Sequence, residues 1–329
     1  MLSLLRPLCE ADSPPGREAA VVSLIREHLA AAGVPQEPAP MGGLAAGGLQ
    51  GRPLRLAFAA AVDEPGLMLY EPVENGIAHA YRLGPLPAAA YAGRRIRTLR
   101  GQSGLVLPLD EVEKEKLTPP RWELRVDLGS EEAGLRAGDG AFAVFDEPFT
   151  SEASLLNGKA LGDRPACAVL AELAPDAARD NLGCAFVFYG QGQLGEHGLR
   201  LTLRALAPQA FVLVRGVRHG PLPDKAGSAV LAGSGPVLIL RRDASVSHPA
   251  LIAACERAAA EAGVSVQKAV LLSEKPARPP AETALAGIRR LELGYPVLDA
   301  DRARQRVDVR DLEALERLLR GLANAELTA

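Results

Sequence analysis

Cys167 and His197 could pair as a thiol nucleophile and its base, the combination a cysteine hydrolase needs. Cys167, however, is flanked by Ala166, Ala168, Val169 and Leu170. That setting suits a buried helix face, where a desolvated thiol is inert. His197, within Gly195-Glu196-His197-Gly198, reads more simply as a loop or helix-start residue open to water. His248 precedes Pro249 where a helix begins, His219 follows Arg218 in a polar loop, and His79 lies in a β-rich stretch. The sequence holds no H-x-x-x-H or H-E-x-x-H pair, so spacing offers no zinc site. Cys9, Cys167, Cys184 and Cys255 form no C-x-x-C pair and sit among apolar residues, as free thiols of a reducing compartment do. Gly190-Gln191-Gly192 and Gly233-Ser234-Gly235 lack the third glycine and downstream acid of a nucleotide fingerprint, and read as turns.

The elements that must position these residues follow from apolar spacing. Arg17 to Ala32 carries Val21, Leu24, Ile25 and Leu29 at helical intervals before Gly33. Arg55 to Val62 is a short apolar run that reads as a buried strand. From Leu67 to Phe149, β-type runs alternate with turn pairs such as Asn75-Gly76, Gly84-Pro85 and Asp139-Gly140, the texture of a small β-domain. The mixed-charge segment Asp110 to Lys116 reads as a solvated loop. Beyond Asn157, helices at Asp163–Leu173, Gly198–Leu206 and His248–Glu261 alternate with strands at Cys184–Tyr189, Ala210–Val214, Val237–Leu240 and Val264–Leu272. A last helix begins at an Asp308 cap and stacks Leu312, Leu315, Leu318, Leu319 and Leu322 on one face. Such alternation predicts an α/β sheet with helices on both faces. The expected division is an α/β domain over 1–66 and 151–329, with an inserted β-domain over 67–150.

Composition removes several function classes. The 329 residues include 37 basic and 40 acidic side chains, a net charge of −3, so no global field draws nucleic acid or an anionic membrane. Aromatic residues are only 4%, too few for a base-stacking platform. No apolar run approaches the ~20 residues of a membrane span. The apolar N-terminus is broken by Arg6 without a basic leader, so a cytoplasmic location is expected.

From Arg125 to Cys167 the succession RVDLGS, GLRAGD, FDEPF and NGKALGDRPACAV resembles the metallo-aminopeptidase family of the glutamyl and tetrahedral (dodecameric) aminopeptidases. Asp63-Glu64-Pro65-Gly66-Leu67-Met68 is similar to that family's H-x-D-E-[IV]-G-L-M segment. Ser247-His248-Pro249 and Val307-Asp308-Val309-Arg310-Asp311 recur in the expected order. The resemblance spans nearly the whole chain and implies an aminopeptidase-like fold. It also implies removal of N-terminal residues from peptides by two divalent metals, which activate a shared water and polarise the scissile carbonyl.

Carried over residue by residue, the resemblance meets substitutions at every ligand. The family's first His falls on Ala61, its bridging Asp on Gly162, its general base on Gly192 and the next Glu ligand on Gln193. An Asp ligand falls on Arg215, and the last His on Asp301. Asp63 is retained. Replacing acids by Gly, Gln and Arg removes the charge that would hold two dications, and Arg215 brings a permanent positive charge in their place. The expected pocket gathers Asp63, Glu64, Asp163, Arg164, Gln193, His197, Arg215 and Asp301, with Arg215 paired to Asp63, Asp163 or Asp301. No cofactor is expected there; the alternative is zinc, cobalt or manganese.

Three functions are thus open. One is a catalytically silent relative with a structural, regulatory or binding role, the reading favoured by loss of base and bridging ligand. The second is an active metallo-aminopeptidase with a rebuilt metal site. The third is another hydrolase using His197 or Cys167. The resemblance implies self-association through the inserted domain, with itself or with an active paralogue, and a peptide as ligand.

Overall fold

The computed structural model describes residues 1–48, 54–108, 124–129, 142–221, 229–272 and 287–327. Helices α1 (Leu2–Glu10) and α2 (Ala19–Ala31) come first, followed by strands β1 (Gln36–Ala39), β2 (Gly43–Gly47) and β3 (Leu56–Ala61). Next come β4 (Gly66–Glu74), β5 (Ile77–Leu83), the single turn α3 (Ala88–Tyr91), β6 (Arg95–Thr98), β7 (Ser103–Val106), β8 (Leu124–Asp127) and β9 (Phe142–Phe145). Strands β10 (Thr150–Glu152) and β11 (Leu155–Gly158) lead to α4 (Arg164–Arg179), β12 (Cys184–Tyr189), α5 (His197–Leu206) and β13 (Ala210–Arg218). After the short β14 (Gly220–Pro221) and β15 (Ala229–Val230) come β16 (Val237–Arg242), β17 (Ser245–Val246), α6 (Pro249–Glu261), β18 (Gln267–Leu271), β19 (Arg289–Val297), β20 (Gln305–Asp308) and α7 (Val309–Asn324).

Nine strands form the main sheet in the order β1-β2-β12-β3-β13-β19-β16-β17, with β18 also paired to β16. Its centre, β12-β3-β13-β19, is parallel. These strands are apolar along their length because both faces are covered. Side-chain alternation along β3 assigns the faces: Leu56, Phe58 and Ala60 pack with α1, α2, α4, α6 and α7. Ala57, Ala59 and Ala61 face Leu199 and Leu203 of α5. The chain is therefore an α/β sheet with helices on both faces, as its alternating pattern implies.

Between β3 and β10 the chain closes a separate barrel, β4-β5-β8-β7-β6-β9. Its own core includes Leu67, Leu69, Ala78, Ala80, Ile96, Val126 and Phe145. The β4–β5 turn runs through Asn75 and Gly76, both at positive φ, which is what an Asn-Gly hairpin supplies. Arg97 of β6 ties the barrel to the segment after α1 through Asp12 at 2.9 Å.

Several boundaries differ from those read in the sequence. Residues 2–10 are helical, with Leu4, Leu5, Leu8 and Cys9 buried, although Arg6 interrupts the run; Arg6 reaches out to Phe149 O instead. Strand β13 continues four residues past Val214, and β19 was not anticipated because charged Arg289, Arg290 and Glu292 break its apolar pattern. Asp110 to Lys116 and Asp139-Gly140 lie outside the described residues. Asp308 caps α7 by accepting from Arg310 N at 3.0 Å, and His248 caps α6 by accepting from Ala250 N at 3.3 Å. No described helix is long and apolar enough to cross a membrane.

Candidate functional site

Ligands of open α/β sheets bind beyond the carboxyl ends of the strands. In that position, off β12, β3, β13 and β19, lies a cavity of about 660 Å³. Its floor is Ala61, Tyr189 and Gly192, and Asp163, Gln193 and Arg215 project into it. Pro85 and Leu86 of the barrel segment close one side, and Val297 another.

Of the eight expected pocket residues, then, Asp163, Gln193 and Arg215 line the cavity. Asp63 lies directly beneath, fully buried. Its two carboxylate oxygens accept from Gly192 N at 2.7 Å and Gln193 N at 2.9 Å, which fixes the turn at the end of β12. Burial pushes Asp63 up to about 7, against those two hydrogen bonds and with help from nearby Asp163. Gln193 Nε2 donates to Asp163 at 2.8 Å, and burial raises Asp163 as well, opposed first by Arg215.

The other expected members are elsewhere, and each for a physical reason. Glu64 and Arg164 point behind the cavity into a closed network. Lys159 Nζ meets Glu64 at 2.7 Å and Asp12 at 2.8 Å. Arg164 donates to Leu8 O, Val62 O and Ser13 Oγ. His197, the first residue of α5, is exposed and does not line the cavity. Cys167 is completely buried and donates to Ala61 O at 3.0 Å. Burial pushes its thiol up to about 12, so a Cys167–His197 dyad does not exist. All four cysteines are free and buried. Asp301 is 51% exposed in the turn after β19 and pairs with Arg218 at 3.0 Å, lining a second, outer cleft. The side chain that β19 sends to the cavity wall is Val297.

Arg215 does not pair with Asp63, Asp163 or Asp301. Its guanidinium binds Glu196 and approaches Glu292 at 3.7 Å. Glu292, 2% exposed, is shared with Arg242 at 2.6 Å and Arg290 at 2.9 Å. Burial alone would raise Glu292, but Arg242, Arg215 and Arg290 outweigh it and lower it to about 2. These partners escaped the sequence reading. The available signal was a lone acid within the apolar run Leu291–Val297, since a carboxylate is buried only when paired.

Gly192 leaves no room for a longer side chain. A Cβ there would stand 2.6 Å from Ala61 Cβ and 3.1 Å from both Asp63 Oδ1 and Tyr189 Cε2. Among the described residues no three His, Cys, Asp or Glu side chains are grouped to hold a metal ion.

The family described as M42 glutamyl aminopeptidase matches residues 43–318. Solved structures share the fold. A TET aminopeptidase from a marine-sediment Thaumarchaeota archaeon superposes with a TM-score of 0.86 at 20% identity, covering 98% of this chain and 95% of that one. The Pyrococcus horikoshii TET1 peptidase gives 0.82 at 22% identity, covering 98% of each chain. An aminopeptidase from Desulfurococcus kamchatkensis gives 0.82 at 21%, covering 98% of this chain and 94% of that one.

Proposed function

The chain belongs to the M42 glutamyl aminopeptidase family, and from that premise we propose that it is a member without metallo-aminopeptidase activity, serving as a binding or structural subunit. The observation that supports this is Arg215, whose guanidinium projects into the cavity where the sequence resemblance puts a metal ligand. The neighbouring positions do not fit a pair of dications. Ala61, Gly162 and Val297 offer no donor side chain, and Gln193, whose Nε2 donates to Asp163, offers only a neutral amide oxygen. A guanidinium is always charged, so a cation beside it would meet repulsion where carboxylates should attract it. At Gly192, the position the resemblance gives to the general base, no proton acceptor is present.

Self-association through the barrel, spanning the expected inserted domain 67–150, is part of the same reading. A TET1 peptidase of Pyrococcus horikoshii assembles into a tetrahedron or a large octahedral shell. A second copy or an active paralogue would be the partner.

The test is hydrolysis of aminoacyl p-nitroanilides, the glutamyl compound included, with zinc, cobalt or manganese added. The expected result is no turnover above a protein-free control. Metal-dependent turnover would restore the reading of an active aminopeptidase with a rebuilt site.

A further inference from the structure

We propose that the cavity off the strand ends binds a small ligand through a carboxylate, recognised by the arginines of its wall. This rests on the reading of the pocket as rebuilt without metals. Arg200, Arg215, Arg242 and Arg290 all line the cavity. Three of them share the single carboxylate of Glu292, and Glu196 adds one more partner, for Arg215. The hydrogen bond of Arg200 goes to a neutral acceptor, Gly195 O.

The donors are left over in the same place. Among the described residues five buried side-chain polar atoms have no hydrogen-bond partner, and three of them belong to this wall: Arg200 Nε, Arg215 Nε and Arg242 Nη2. Arg215 Nε sits 3.7 Å from Glu292, beyond hydrogen-bond reach. A buried donor without an acceptor costs free energy, so three beside one cavity mark an acceptor the chain itself does not provide. Arg242 also stands below its ordinary value, first because it is buried and then because Arg215 and Arg290 repel it. An added anion would relieve that crowding.

The acceptor's chemistry follows from the donors. Guanidinium forks match the two oxygens of a carboxylate, and such charge-assisted bonds are the strong ones. Of the cavity's acids, Glu196 is held by Arg215 and Asp163 accepts from Gln193. The remaining surface from Pro65, Pro85, Leu86 and Val297 is apolar and suits the body of a short peptide or small organic acid.

Two sources share this chemistry, a peptide's C-terminal carboxylate and a free dicarboxylate. Titration calorimetry on the full-length protein with N-acetyl-dialanine, its C-terminal amide and succinate separates them. The acetyl group removes the free amine on which an aminopeptidase relies. Binding of N-acetyl-dialanine, with the amide at least about tenfold weaker, identifies a peptide end. Binding of succinate alone identifies a free dicarboxylate. In either case Arg242→Gln weakens the acid by about tenfold or more in protein that remains folded, with a lowered melting temperature because buried Glu292 loses a partner. Arg200→Gln, which leaves the Glu292 pairs intact, does the same should the first variant not fold. Equal binding of acid and amide, or binding of neither acid, overturns the proposal. Binding that needs added zinc and disappears with a chelator overturns the rebuilt-pocket reading instead.

Discussion

Two charge clusters lie within reach of the same strand ends, and they are built differently. Behind β3, Lys159, Glu64, Asp12, Arg164 and Ser13 form a network in which each charge meets an opposite charge or a backbone acceptor. Lys159 and Glu64 are 2% and 1% exposed, and Asp12 at the edge of the network is 19% exposed. In front, Arg215, Arg242 and Arg290 converge on one carboxylate and leave donors unmatched. A saturated network specifies the fold, since any change leaves a buried charge alone. An unsaturated one facing a cavity keeps capacity for something that enters.

The largest effect that would sharpen this contrast comes from Lys159→Met. It leaves buried Glu64 with only Ser13 N and the more distant Arg164 and should cost about 3 kcal/mol of stability, read by denaturant unfolding. A loss as small as that of a surface pair would place the saturated network in the same class as the cavity wall.

Two buried carboxylates, Glu292 of the arginine wall and Asp63 beneath the cavity, predict opposite pH behaviour. Glu292 is lowered to about 2 from 4.5, so its contribution is complete above 4.5 and lost as pH falls toward 2. Asp63 is raised to about 7 from 3.8, so its contribution is complete below 3.8 and lost as pH rises toward 7. Unfolding free energies across pH 2–8 should show both limbs, each on the order of a few kcal/mol. Glu292→Gln should lessen the acid limb, and Asp63→Asn the other.

A smaller effect is expected from Gly192→Glu. The new Cβ must displace Ala61 or Tyr189, which should cost about 1–3 kcal/mol as overpacking, and turnover should stay absent. Recovered peptide hydrolysis would show that the turn accepts a base. Smallest of all, Asp301→Ala breaks an exposed pair with Arg218 and should change stability by less than about 1 kcal/mol. Ligand binding in the cavity should not change.

The sequence made the sheet legible because buried parallel strands announce themselves as short apolar runs, as in Leu56–Ala61 and Cys184–Tyr189. It also led to Asp163, Gln193 and Arg215 around one cavity, through the resemblance that maps Gln193 and Arg215 onto ligand positions and sets Asp163 beside Gly162. It could not show that Glu64 and Arg164 turn to the back of β3, because the partners that hold them there, Lys159 for Glu64 and Leu8 and Ser13 for Arg164, lie far away in the chain. Nor could it pair Arg215 with Glu292, which comes 77 positions later on a parallel neighbour. Asp301 is expected in the pocket, and the structure places it in the outer cleft instead. Asp301 follows the end of β19 in a turn and points to Arg218, while Val297 and Ala300 of the same segment line the cavity.

Metal content tests the central claim most directly. The purified protein would be incubated with zinc, cobalt or manganese, desalted and analysed for bound metal, with its melting temperature recorded beside that of a chelator-treated sample. The expected result is no stoichiometric metal and identical melting temperatures. One or two metals per chain, with a melting temperature raised through linkage, would contradict it.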